Sequence, residues 1–180
     1  MKNIHVKEVM IPISNYVTVK KENSLIDVLQ ALEAGRSDNE HAHRDAIVVN
    51  DDGAIIGKVT MMDIFRALEP NYKKIDPEQT RGVLSSKFIM KAVKDFNLWM
   101  EPMQDVTERG KKLKVADVMH IPEKVEYIEE SDTLEKALNQ YVMGVHQPII
   151  VRNGEKVTGI LRFGDVFEII RKRLLSCVIA

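Results

Sequence analysis

Apolar positions along this chain fall into short β-branched runs and helical stripes, and the order of these runs occurs twice. Leu25, Val28, Leu29 and Leu32 stand at i, i+3, i+4 and i+7, the stripe of a helix packed on one face. Leu134, Ala137, Leu138 and Tyr141 repeat it. A short strand precedes each helix, Val17 to Val19 and Val125 to Ile128. Ser24 with Asp27, and Asp132 with Glu135, resemble capping boxes at the two helix starts. Second strands follow at Ala46 to Val49 and Pro148 to Val151, then turn signals at Asp52-Gly53 and Asn153-Gly154. The second signal suits a two-residue type I′ hairpin. Third strands, Ile55 to Thr60 and Lys156 to Leu161, each run into a helix beginning near Met61 or Phe163. Each copy therefore reads strand, helix, strand, strand, helix.

The repeat extends to individual residues. Val9-Met10 recurs as Val118-Met119, Ser24-Leu25 as Thr133-Leu134, and Gly35 as Gly144. Further along, Ile47 to Val49 matches Ile149 to Val151, Gly57 matches Gly159, Asp63 matches Asp165 and Phe65 matches Phe167. The register shifts between Arg36 and Asp45, where the first copy carries a longer polar loop. Loop insertions cost little, whereas shared apolar spacing constrains a core. Three segments follow: a first motif over 1–70, a helical insertion and linker over 71–112, and a second motif over 113–180. In the insertion, Asp76-Pro77 is a helix start, an N-cap carboxylate followed by proline. Leu84, Phe88, Ala92, Phe96 and Trp99 continue at helical spacing until Pro102. This predicts a helix packed on its own subunit, with a dimerisation or effector-contact element as the alternative. Glu108 to Lys114 reads as a solvated charged linker.

Composition narrows the class. The chain has 180 residues, 44% hydrophobic and 29% charged, which is that of a folded globular protein. Its formal net charge of −1 supplies no field for holding nucleic acid or an anionic membrane, and neither partner is expected. No apolar stretch approaches the roughly 20 residues of a membrane span. The N-terminus lacks a signal peptide's apolar run. Cys177 is the only cysteine, excluding an intrachain disulfide and a CxxC metal site. A cytoplasmic location is expected. His41 and His43 lie in the long loop beside Asp38, Glu40 and Asp45, but no further His/Cys set completes a metal site, so none is expected. No catalytic motif occurs: GxSxG, GxxxxGK[ST] and HExxH are all absent.

Two segments carry a resemblance: Gly57-Lys58-Val59-Thr60-Met61-Met62-Asp63-Ile64 and Gly159-Ile160-Leu161-Arg162-Phe163-Gly164-Asp165-Val166. Together with Val6 to Met10 and Val115 to Met119, they make the chain resemble a pair of cystathionine-β-synthase-type (CBS) domains. The resemblance implies an α+β fold, tandem β-α-β-β-α motifs packed about a pseudo-twofold axis with clefts between them. It also implies an adenine nucleotide in those clefts. A carboxylate one turn into a helix can accept hydrogen bonds from both hydroxyls of a ribose, and a hydroxyl at the helix start can donate to phosphate. By the resemblance Thr60 and Asp63 take these roles in the first copy, and Asp165 takes the ribose role in the second. Arg162 stands where Ser or Thr is the rule; it would pair with phosphate or block the cleft. The base would rest near Pro12, Val17, His43 and Arg44 in the first copy, and near Ile121, Glu126, Val145 and His146 in the second. Helix capping alone is the plain alternative for Thr60 with Asp63.

The function expected is a non-catalytic regulatory module that binds AMP, ADP or ATP, ahead of S-adenosylmethionine, and requires no cofactor. It would signal by conformational change or association, as a homodimer, to another protein. The alternative is a ligand-free dimerisation module with degenerate clefts. A nucleotide-processing enzyme ranks last.

Overall fold

The structure, a computed structural model, describes residues 4–35, 44–75 and 85–176. In chain order its strands are β1 (Ile11–Pro12), β2 (Thr18–Lys20), β3 (Asp45–Val49), β4 (Ile55–Thr60), β5 (Tyr127–Glu129), β6 (Ile149–Asn153) and β7 (Lys156–Leu161). The α-helices are α1 (Leu25–Ala34), α2 (Met61–Leu68), α3 (Ser86–Asp95), α4 (Met103–Gly110), α5 (Val115–Val118), α6 (Leu134–Val142) and α7 (Phe163–Ser176). This is the expected α+β fold. Both copies place the third strand and the helix after it where the pattern does. No helix among the described residues is long and apolar enough to cross a membrane.

The chain forms two compact units, Val17–His120 and Met1–Tyr16 with Ile121–Ala180. In the first, β2 runs parallel to β3 and β3 antiparallel to β4. A parallel neighbour needs a crossover, and α1 supplies it. The core gathers Val19, Leu25, Val28, Val48, Val59 and Ile64, all buried. In the second, the sheet order is β1-β7-β6-β5, with β5 parallel to β6. Its core gathers Ile128, Leu134, Ile149, Val151, Leu161 and Val166. Both copies shift register at one place, between Val48 and Val49 and between Val151 and Arg152.

The segment leading each copy packs on the other copy's strands. Val6 is fully buried in the core of the unit that holds the second copy. Its N–H donates to the Asp132 carbonyl at 2.9 Å, and β1 pairs antiparallel with β7. Conversely, Val115 and Val118 are buried in the first-copy core. The Val115 N–H reaches the Asn23 carbonyl at 2.9 Å, and Leu25 N–H the Leu113 carbonyl at 2.9 Å. The compact units are therefore not the same division as the two linear motifs.

Three local expectations need correction. Asp132 and Glu135 do not make a capping box. Thr133 is the N-cap of α6, and Asp132, one residue early, accepts from the Glu129 N–H (3.0 Å) and the Lys136 ammonium (2.6 Å). The second hairpin turns on Gly154-Glu155, since Asn153 already pairs with Lys156. Only Gly154 has positive φ (60°), the signature of type II′ rather than I′. The insertion is not one helix to Pro102. α3 starts from Ser85, whose hydroxyl accepts the Phe88 N–H, and ends at Asp95 because Asn97 and Trp99 take left-handed φ of 50° and 57°. Pro102 then opens α4, so Glu108 to Gly110 is helical rather than linker, and the Arg109 guanidinium binds the Leu68 carbonyl and Glu101. Asp76, Pro77 and Leu84 lie outside the described residues. Ala92, Leu98 and Val106 are buried, so the insertion packs on its own unit.

Candidate functional site

Extended β4 cannot continue past Thr60, where the chain turns into α2 with Thr60 as N-cap. The Thr60 hydroxyl accepts the Asp63 N–H at 3.3 Å and donates to Asp63 Oδ2 at 2.6 Å. Asp63 Oδ2 also accepts the Thr60 N–H at 2.9 Å. The capping box expected from the spacing is present, and it holds Asp63 at only 7% exposure. Arg66 lies three residues on, on the same helical face. The 3-10 turn Pro70–Lys74 then carries Tyr72 and Lys73 back over that face.

The opposite wall is the leading segment of the second copy. Lys58 and His120 exchange backbone hydrogen bonds at 2.9 and 2.8 Å, pinning that segment to β4. Gly57 makes room for it: a Cβ there would lie 3.0 Å from Met119 Sδ and 3.2 Å from the His120 carbonyl oxygen. Between the walls is a cavity of about 240 Å³ lined by Asp63, Arg66, Tyr72, Lys73, Asp117 and His120. Arg66 and Lys73 make no ion pair among the described residues. A buried carboxylate and two uncommitted cations can together hold a small molecule with adjacent hydroxyls and an anionic group.

The second corner differs. At the β7–α7 junction the Arg162 guanidinium grips Asp165 through both oxygens, Nε to Oδ2 at 2.7 Å and Nη2 to Oδ1 at 2.8 Å. Both side chains are largely sheltered, 15% and 18% exposed. Arg162 is thus committed within its own turn. Beside it, Tyr141 packs against Phe163 with centroids 5.1 Å apart and the rings tilted by 50°, and donates its hydroxyl to the Leu161 carbonyl.

Of the residues expected to face a base, Pro12 pairs with Gly159 on the strand leading to Arg162. Val17 is half-buried, its carbonyl accepting the Ile47 N–H, and Arg44 is exposed just before β3. Ile121 is exposed. Glu126 is buried at the end of a 3-10 turn, accepting the Glu123 N–H, and Val145 and His146 are half-buried after α6. His43 lies outside the described residues. The structure thus brings Thr60 to Asp63 and Arg162 to Asp165, and sets Pro12 against the strand that leads to Arg162. Sequence reasoning missed Arg66, Tyr72, Lys73 and Asp117. Only Arg66 left a signal, its helical spacing from Asp63.

Comparison with known proteins supplies a framework. The CBS domain family model matches residues 6–70 and 115–172, more than half of the chain. None of the curated proteins matches in sequence. Among solved structures, CBSX2 in complex with AMP has a TM-score of 0.59 at 22% identity, with 93% of this chain and 97% of that one covered. CBSX2 from Arabidopsis thaliana gives 0.59 at 18% identity, covering 95% and 96%. An uncharacterized conserved protein from Pyrococcus horikoshii gives 0.60 at 16% identity, also covering 95% and 96%. These likenesses concern the fold. With the family model matching both copies, the chain belongs to the CBS domain family, as a tandem pair.

Proposed function

We propose that this protein is a non-catalytic regulatory module that binds one adenine nucleotide, AMP, ADP or ATP, at the Asp63 corner. The observation that carries this reading is the cavity beside Asp63, whose lining combines a sheltered carboxylate with Arg66 and Lys73. Asp63 would accept both ribose hydroxyls. The Thr60 hydroxyl, which now donates to Asp63, would turn toward phosphate along with the two cations. At the second corner a diol would have to displace a sheltered guanidinium bound through both carboxylate oxygens, a costly exchange. A CBS-pair structure in complex with AMP supports the choice of ligand. Binding would favour one of two states and pass the difference to another protein, in a reducing cytoplasm.

The test is calorimetry and thermal shift with AMP, ADP, ATP and S-adenosylmethionine. One equivalent of nucleotide should bind; Asp63→Ala should abolish it and Asp165→Ala should not. No response to any of the four at millimolar concentration refutes the reading. A second reading, a ligand-free association module, draws on the exposed apolar residues Phe167, Leu174 and Leu175 of α7. It predicts a homodimer by light scattering that no nucleotide stabilises.

A further inference from the structure

The insertion and α2 enclose a second, larger cavity of about 830 Å³, within the range of small-molecule sites, roughly 300–1,000 Å³. Its walls are apolar and aromatic: Phe65 from α2, Phe88 and Ile89 from α3, then Leu98 and Trp99. Arg66 is the one charged side chain among the described lining residues, and it makes no ion pair among the described residues. We propose that this cavity binds a small carboxylic acid with an apolar body, its hydrocarbon packed between Phe65, Phe88 and Trp99 and its carboxylate paired with Arg66.

The walls are built rather than incidental. Glu69, 2% exposed, accepts the Trp99 N–H at 2.7 Å and the Asn71 N–H at 3.0 Å, tying the turn that follows α3 to the end of α2. The Trp99 indole N–H donates to the Tyr72 hydroxyl at 3.1 Å, and its ring meets Phe65 edge-on at 6.4 Å. Trp99 takes this position with φ at 57° and Asn97 with φ at 50°. Left-handed backbone at a bulky residue is unfavourable and persists where the surroundings enforce it. Here it is enforced by a buried carboxylate, and its result is an indole that faces a cavity instead of filling it. Met62, Phe65, Ile89 and Val93 stay substantially exposed around the same space, apolar surface that an apolar ligand would cover. Charge selects the head group: Arg66, solvent-exposed and the one charged side chain among the described lining residues, favours a planar carboxylate, which it can bind through two hydrogen bonds, and disfavours an amine.

Trp99 is the only tryptophan, so intrinsic fluorescence reads this cavity directly. Titration with decanoate should give a saturable change in emission with a Kd below about 1 mM. Decanol and decyltrimethylammonium should bind at least about tenfold more weakly. Arg66→Gln should erase the preference for the acid. Val93→Phe, at a partly exposed lining position, should occupy the space and abolish the signal without loss of the folded circular-dichroism spectrum. A flat titration with decanoate would overturn the proposal. So would equal binding of decanol, or an emission change that follows protein concentration instead of decanoate, since the last would mean a second copy fills the cavity. This proposal does not depend on nucleotide binding.

Discussion

Thr60 and Asp63 each serve the helix and would each serve a ligand, and substitutions can separate the two. Thr60→Ala removes the acceptor for the Asp63 N–H and should cost about 1 kcal/mol in urea denaturation, with Thr60→Ser restoring it. Asp63→Asn keeps an acceptor for the Thr60 N–H but cannot take both hydrogens of a diol. It should leave stability nearly unchanged and weaken nucleotide binding at least about tenfold, read by calorimetry. Asp27 offers a purely structural counterpart. The Ser24 N–H, then its hydroxyl, holds the Asp27 carboxyl below its ordinary value of 3.8. The unfolded chain therefore binds the proton more readily. The stabilisation from Asp27 is complete above the unfolded value and disappears as pH falls through the lower folded one. Melting temperatures followed from pH 5 down to pH 2 should show a steeper acid decline for the native chain than for Asp27→Asn.

Among the elements, the two family glycines show why a strand would give up a side chain. A Cβ at Gly159 would lie 2.6 Å from the Ile11 carbonyl oxygen, a backbone atom that can yield only by moving β1. At Gly57 the nearest atom is the flexible Met119 sulfur at 3.0 Å. Gly159→Ala should therefore destabilise by about 1–3 kcal/mol and Gly57→Ala by less, compared by urea denaturation. Strands and helices were legible in the sequence because their signal is local: stripes and β-branched runs pointed to both β4–α2 and β7–α7, and a cap to the first. Failures came where one residue decides. Asp132 stands one position before its cap, Gly154 rather than Asn153 opens the turn, and left-handed Asn97 stops a helix whose apolar spacing ran on to Trp99. The residues around Asp63 were hidden for another reason. Asp117 and His120 reach that cavity through pairing remote in sequence, which no periodicity records.

Taking the molecule as a whole, the two cavities of the Val17–His120 unit share Arg66 and Tyr72. One guanidinium cannot fully serve a phosphate in one cavity and a carboxylate in the other. Saturating decanoate should therefore weaken AMP binding, and AMP should weaken decanoate binding by the same factor, a reciprocity that calorimetry can check in both directions. The leading segments make a second large-scale expectation. Because Val6 is sealed in the core with Ile149 and Val151, deleting residues 1–10 should loosen a sheet far along the chain. Hydrogen exchange should rise in β6 and β7 and change little in β3 and β4.

The crossing of leading segments also governs what happens when the chain is cut. A break near Lys112 would separate the linear motifs neatly, yet each piece would carry away a part that completes its sibling's interior. Neither product is a finished body. Mixed together, the halves have reason to reassemble; kept apart, each would display a vacant seat that only the other half, or an intact chain, carries the segment to fill.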